Sequence, residues 1–425
     1  MLKQCDKGHN RVSLRPFNSS MAQRIHRPLA QGVIENLMAI FNENKMADKV
    51  VETSLKGNKK WGSRDRNFVA DNTYGVVRWW RLLKFCAEVN ERKIKEESYY
   101  WQLLGAWLII NEYELPEWEE FNALDAGKIK ENYSKAQSIR KVRESIPDWL
   151  DEIGEKEVPE WEKEIHALNQ SSDVFLRVNT LKTTMDNLLE NLDENDVEVE
   201  QVPNVKHALR MVKRKKLSHL SMYRKGHFEV QDPGSQIIAN FTQAKAEMKV
   251  IDACAGAGGK SLALSALMKN QGQIIAMDVE KNKLAELERR SQRNGVRIIE
   301  TKVLQNEIIQ KLEGYADRLL LDVPCSGTGV LKRNPDAKWK LKPEFLEKIK
   351  ATQEKILQEY SSMVAEGGKL IYATCSLLQS ENEDQVENFL KNNPEFTKEA
   401  ELRISPVETG FDGFYMARLV KFVPE

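Results

Sequence analysis

The chain has 425 residues, 41% of them hydrophobic and 30% charged, which is enough apolar matter for two or three cored domains. Its 64 Lys+Arg balance its 64 Asp+Glu, so no global charge argues for a nucleic-acid partner and only local basic patches can. No run of about 18 apolar residues occurs, the first twenty residues lack an apolar h-region, and the five cysteines include no C-x-x-C pair; a membrane span, a secretory signal, a disulfide scaffold and a zinc finger are all disfavoured, and a reducing cytoplasm is expected.

Met1 to Ser20 reads as a leader or disordered arm, with Met21 an alternative start. Residues 21–148 carry helical periodicity. Val33, Leu37, Ile40 and Phe41 fall on one face; Phe68, Asn72, Val76, Trp80 and Leu83 fall on another, after Ser63 as N-cap with Asp65 in the first turn. An all-α domain is expected there. From Glu144 to Glu164, nine acidic and two basic residues suggest a solvated linker or helix face.

Residues 149–230 read as that linker and a small α+β module. Phe175 to Asn179 is strand-like, Met185 to Leu192 a short helix, and Val197 to Glu200 alternates. Gln201 to His227 then holds eight Lys/Arg and no acid. A solvated loop is one reading. A phosphate-backbone contact through Lys213, Arg214, Lys215 and Lys216 is preferred, because one basic run on a neutral chain is a local patch.

Across 231–425, strands and helices alternate. Strands are expected at Lys249–Ala253, Gln273–Asp278, Arg297–Leu304, Asp317–Asp322, Lys369–Thr374 and Phe414–Phe422. Helices are expected at Ser261–Met268, at Glu280–Asn294 (ended by Gly295), at Pro343–Glu366 and at Glu381–Leu390. This alternation predicts an α/β, doubly wound, mostly parallel sheet, whose ligands bind outside the carboxyl ends of the strands. Cys254, Cys325 and Cys375 all fall at such ends, with Asp278 and Asp322.

The first loop reads Asp252-Ala253-Cys254-Ala255-Gly256-Ala257-Gly258-Gly259-Lys260-Ser261. It imitates a phosphate-binding P-loop only at its end, since Cys254 stands where the first glycine belongs, and Ser261 breaks the dinucleotide pattern. What remains is a glycine loop between strand and helix. Asp278, 20 residues after Gly258, stands where a carboxylate accepts hydrogen bonds from ribose hydroxyls. A nucleoside cofactor follows.

Three strings carry a resemblance. They are Asp322-Val323-Pro324-Cys325-Ser326-Gly327-Thr328-Gly329, then Arg333-Asn334-Pro335-Asp336-Ala337-Lys338-Trp339, then Thr374-Cys375-Ser376. Together with the glycine loop, Gln231-Asp232-Pro233-Gly234 and Asp412-Gly413-Phe414-Tyr415, they resemble the RsmB/Sun family of RNA cytosine-5 methyltransferases, strongly over about Gly226 to Phe422. Arg66 to Arg78 resembles the NusB-like RNA-binding domain of bacterial RsmB proteins. The resemblance implies a Rossmann-like class I methyltransferase domain behind an all-α NusB-like domain, S-adenosylmethionine as cofactor, and small-subunit ribosomal RNA as partner. It implies cofactor contacts from Cys254, Ala255, Gly256, Ala257, Gly258, Gly259, Lys260, Asp278, Lys283 and Asp322. No ligand is assigned after the third strand, where the family often has an acid and Val303-Leu304-Gln305-Asn306 has none.

Carbon 5 of cytosine is a poor nucleophile until a thiolate adds to carbon 6. By resemblance Cys375 is that thiolate, Cys325 assists proton removal and release, Asp322 holds the base's polar edge, and Lys260 supports the site. Arg333 and Lys338, ahead of Lys332, Lys340 and Trp339, are expected to grip flanking RNA; Trp339 is equally well a core aromatic. A monomer without metal or membrane is expected. The alternatives are a nucleotide-triphosphate enzyme read from Gly259-Lys260-Ser261, a silent ribosome-assembly factor, a thiolate metal site at Cys254, Cys325 and Cys375, and action on transfer RNA.

Overall fold

The computed structural model describes residues 25–422, so the leader expected at residues 1–20 lies outside the described residues. The chain divides into two units, one formed by residues up to 151 together with 334–340, the other by 152–333 and the residues from 341 on.

Helices Arg27–Phe41, Ala47–Gly57, Ser63–Arg78, Trp80–Ala87, Glu97–Ile110 and Ala126–Ala136 form most of the first unit. Val33, Leu37 and Ile40 are buried on one face, and Phe41 stacks on Trp80 with ring centroids 3.6 Å apart. Glu97–Ile110 is apolar nearly all round and buried nearly all round, as a central helix must be. The run read as one helix from Ser63 to Leu83 breaks at Trp79, and its N-cap is Gly62, with Ser63 the first helical residue. Asp65 accepts the Gly62 N–H at 2.9 Å, the carboxylate half of a capping box. A Cβ on Gly75 would lie 2.4 Å from the Trp107 ring, so only glycine admits that indole.

The acidic stretch is no linker. It forms helices Asp148–Glu157 and Trp161–Leu168, and several of its acids face inward. Asp151 is buried against Arg140 at 2.9 Å, Glu144 pairs with Arg143 at 3.0 Å, and Glu164 accepts the Ser405 hydroxyl. A count of charges cannot see that a partner neutralises them.

In the second unit, strands β1 (Phe175–Val178), β2 (Val199–Gln201), β3 (Ala208–Met211) and β4 (Phe228–Val230) form an antiparallel sheet in the order β2-β3-β1-β4. Helix Met185–Asp193, capped by the Thr184 side chain, accompanies it. The basic run is therefore divided. It contributes β3 and the short helix Ser221–Arg224, and its exposed part includes Lys213 to Lys216.

The large sheet contains β5 (Lys249–Asp252), β6 (Gln273–Asp278), β7 (Ile299–Val303), β8 (Ala316–Asp322), β9 (Val364–Thr374), β10 (Phe396–Ile404) and β11 (Phe414–Lys421). Their order is β10-β11-β9-β8-β5-β6-β7. Pairings from β7 to β9 are parallel; β11 runs antiparallel to both β9 and β10. The strand order reverses between β5 and β8, which places the crevice beyond their carboxyl ends. Two differences from expectation stand out. The helix from Pro343 ends at Tyr360, and β9 starts at Val364, ahead of the Gly367-Gly368 pair. The edge strand β10 was not anticipated, because it is largely exposed and its Thr397-Lys398-Glu399 stretch is polar throughout.

Candidate active site

The glycine loop leaves β5 and enters helix Gly259–Leu267. Gly258 has φ +83°, and a Cβ there would meet Leu287 at 2.4 Å; Gly256 has φ +54° but faces open space. The first glycine serves packing, the second leaves room beside the backbone. Asp278, at the end of β6, holds the loop: one carboxylate oxygen accepts the Gly256 N–H at 2.9 Å, the other the Glu280 N–H at 2.8 Å. Arg290 donates to the Ala257 carbonyl at 2.7 Å and to buried Glu229 at 2.8 Å, which ties the loop to β4. Lys283 lies on the following helix in an ion pair with Glu280. Burial pushes the Asp252 carboxyl up to about 7, against the pull of the Ser261 hydroxyl 2.6 Å away. Its other oxygen is buried without a partner. Burial likewise pushes the Cys254 thiol up, so Cys254 is no activated nucleophile.

Beside this loop, the ends of β8 and β9 bring two sulfurs together. Cys325 Sγ lies 3.3 Å from Cys375 Sγ. The Cys325 thiol is pushed well up by its hydrogen bond to Cys375, by burial, and by the charges of Cys375 and Glu381. Lys260 reaches Asp322 at 2.6 Å. Burial lowers the Lys260 pKa, but the charge and hydrogen bond of Asp322, then Cys375, outweigh it and leave it raised. The two cysteine loops interlock through backbone: Gly329 N–H donates to Cys375 O at 2.9 Å, and Gly413 N–H to Gly329 O at 2.8 Å. A Cβ on Gly329 would lie 2.2 Å from the Gly413 oxygen, so this three-layer stack demands glycine.

Arg333, Lys332, Lys338, Lys340 and Trp339, expected to grip RNA, all make contacts within the protein. Arg333 pairs with Asp232 at 2.9 Å and with Asp412, both buried. Lys332 donates to Gly410 O at 2.8 Å. Lys338 belongs to the helical unit, where it is fully buried and donates to Arg78 O at 2.9 Å. Burial lowers its pKa well below that of an ordinary lysine. Trp339 donates to Val77 O at 2.7 Å and packs on the helical core, and Lys340 pairs with Asp336 at 2.7 Å. A fully buried lysine has no face left for phosphate, so Lys338 is corrected to a structural role, whereas Arg333, though paired with two carboxylates, keeps about a third of its side chain exposed. Glu381 received no role from sequence and no local signal marked it, yet it contacts both cysteine loops through Ser326 and Ser376. Among the described residues, no group of three or more His, Cys, Asp or Glu side chains can hold a metal, and no helix is long and apolar enough to cross a membrane.

The family model described as 16S rRNA methyltransferase RsmB/F matches residues 239–420, and one described as an RsmF/B-like, ferredoxin-like domain matches residues 146–218. A "Probable ribosomal RNA small subunit methyltransferase B" of Synechocystis is 32% identical over 337 residues, 74% of this chain and 73% of that protein. A protein of the same description from Bacillus subtilis is 30% identical over 295 residues, 65% of each chain, so the match spans just under two thirds of that relative. The crystal structure of PH0851 superposes with a TM-score of 0.80 at 22% identity, covering 94% of this chain and all of that one. NSun6 from Pyrococcus horikoshii, solved with SFG, gives 0.61 at 21% identity over 66% of this chain and 100% of its own. At these identities the two structures speak for the fold.

Proposed function

Since the chain belongs to the RsmB/F methyltransferase family, we propose that it methylates carbon 5 of a cytosine in small-subunit ribosomal RNA, using S-adenosylmethionine and a covalent cysteine adduct. The observation that carries this reading is the pair of thiols 3.3 Å apart beside the Lys260–Asp322 ion pair. The residues fit the cofactor. Gly256 leaves open space against the loop backbone, Asp278 offers a carboxylate at the end of β6, and Asp252 has a buried acceptor without a partner. Bound there, S-adenosylmethionine supplies an electrophilic methyl group.

The chain's own residues do the rest. Lys260 stabilises the Cys375 thiolate, which adds to carbon 6 of the extruded base. Asp322 accepts hydrogen bonds from the base's polar edge and balances Lys260. Carbon 5, now part of an enamine, takes the methyl group. Forming the carbon–sulfur bond removes the charge on Cys375 and with it two of the causes that keep the Cys325 pKa high. Cys325 thus becomes an accessible base only after the adduct exists. Cys325 then releases its own proton to solvent, its thiolate takes the carbon 5 proton, and the electron pair of that C–H bond expels Cys375 and restores the ring. The test is bisulfite sequencing of small-subunit and transfer RNA incubated with the protein and S-adenosylmethionine. A new protected cytosine in small-subunit RNA is expected; protection only in transfer RNA would move the substrate, and none would favour a silent binding protein.

Two further outcomes follow. Asp278→Ala removes the carboxylate from the ribose and also frees the Gly256 N–H. Cofactor affinity by calorimetry should fall by about 1.5–3 kcal/mol, the worth of charged hydrogen bonds; unchanged affinity would remove Asp278 from the site. Lys213, Arg214, Lys215 and Lys216 are exposed, although Lys215 also donates to the Asn195 and Asp196 carbonyls at 2.8 and 3.0 Å. Replacing all four by glutamine should weaken RNA binding and flatten its log–log salt slope by up to about 3, as fewer counterions are released. A parental slope would make the stretch a solvated loop.

A further inference from the structure

Ser326 and Ser376 each follow one of the motif cysteines, and both turn their hydroxyls to a single carboxylate. That carboxylate is Glu381, at the end of the turn Gln379–Glu381, and it is completely buried. One oxygen accepts the Ser326 N–H at 2.8 Å and the Gln353 amide at 3.0 Å. The other takes the hydroxyls of both serines. Its backbone carbonyl takes the Tyr372 hydroxyl at 2.6 Å, which fixes the turn to β9. The Gln353 amide also donates to Pro324 O at 3.0 Å, one residue before Cys325.

These four donors are all neutral. A buried carboxylate among neutral donors is costly unless each lone pair is used. Here the geometry uses them to join residues 326 and 376, far apart in sequence and each one peptide from a thiol. A carboxylate suits this task because it only accepts, and so takes four donors without offering a proton of its own. Glutamine would turn an NH₂ toward two hydroxyls that now donate. Aspartate, one methylene shorter, would serve one loop at the expense of the other.

We propose that Glu381 is a positioning residue, whose single carboxylate sets the spacing between Cys325 and Cys375. Calling those thiols catalytic rests on the function proposed above; the spacing itself does not. The two are tested apart by a chemical readout of proximity. Diamide takes two electrons and two protons from a close thiol pair, leaving a disulfide and the reduced hydrazine. The Cys325–Cys375 linked peptides are then quantified by mass spectrometry in the full chain.

The parent is expected to form this disulfide readily. Glu381→Gln and Glu381→Asp should each slow it by about tenfold or more, the scale of losing one hydrogen bond to a charged group. Methyl transfer should slow with it, while S-adenosylmethionine affinity holds. Where a variant at 381 does not fold, Ser326→Ala and Ser376→Ala, which each remove one hydroxyl from the carboxylate, must slow the same oxidation. Parental oxidation rates in the folded variants, or no such disulfide in the parent, would overturn the proposal. Slowed oxidation in a protein whose parent methylates no RNA would leave the positioning role standing and remove the functional reading.

Discussion

Cys375→Ala is expected to bind RNA and S-adenosylmethionine as the parent does and to form no product. Without a sulfur to add to carbon 6, carbon 5 stays part of an aromatic ring and cannot take a methyl group at a useful rate. The loss should be about four orders of magnitude or more, the scale of removing a covalent nucleophile. Cys325 is no substitute. Its thiol is pushed up partly by burial and by Glu381, which remain when Cys375 is gone. Stability should change by only about 1 kcal/mol, since one small side chain is truncated. Single-turnover assays with labelled RNA would show the loss, and product at a rate near the parent's would remove Cys375 from the nucleophile's role.

What made this site readable in sequence was its locality. Each motif is a short string at the end of a strand, and the strands themselves announce their burial. Val250-Ile251, Ile274 to Met277, Leu319 to Leu321 and Leu370 to Tyr372 are uninterrupted apolar runs because their sheet is covered on both faces. The edge strand β10 is largely solvated and has no apolar run, so it carried no such signal. The helix break at Trp79 was equally silent, since helical periodicity continues across it.

Charged residues were the least legible, for a physical reason. A lysine that meets phosphate and a lysine that donates to a buried carbonyl are the same letter. Lys338 sits in a string that matched the family, and the match held while the contact inferred for Lys338 did not. Glu381 was hidden for the opposite reason. Its partners lie 55 and 5 residues away, and only the fold shows that both serines need the same acceptor. Local strings thus reveal which groups react. How far apart they are held is a tertiary property.

Cys325→Ala separates the two halves of the reaction. This variant keeps Cys375, Lys260 and Asp322, so addition to carbon 6 and methylation at carbon 5 should proceed. It lacks the base that takes the carbon 5 proton, so Cys375 cannot be expelled efficiently. A methylated protein–RNA adduct should therefore accumulate and survive denaturing electrophoresis with labelled RNA, approaching one adduct per active site while turnover stops. The surroundings of Cys325 support this division of roles. The Cys325 thiol is pushed up by its hydrogen bond to Cys375, by burial, and by the charges of Cys375 and Glu381, and the Cys375 contributions vanish once that sulfur is bonded to carbon. Swapped roles would put the adduct in Cys375→Ala instead. Two packing thiols would give two mild stability losses, of about 1–3 kcal/mol, and no adduct from either variant. An adduct from Cys375→Ala, or none from Cys325→Ala, overturns the assignment.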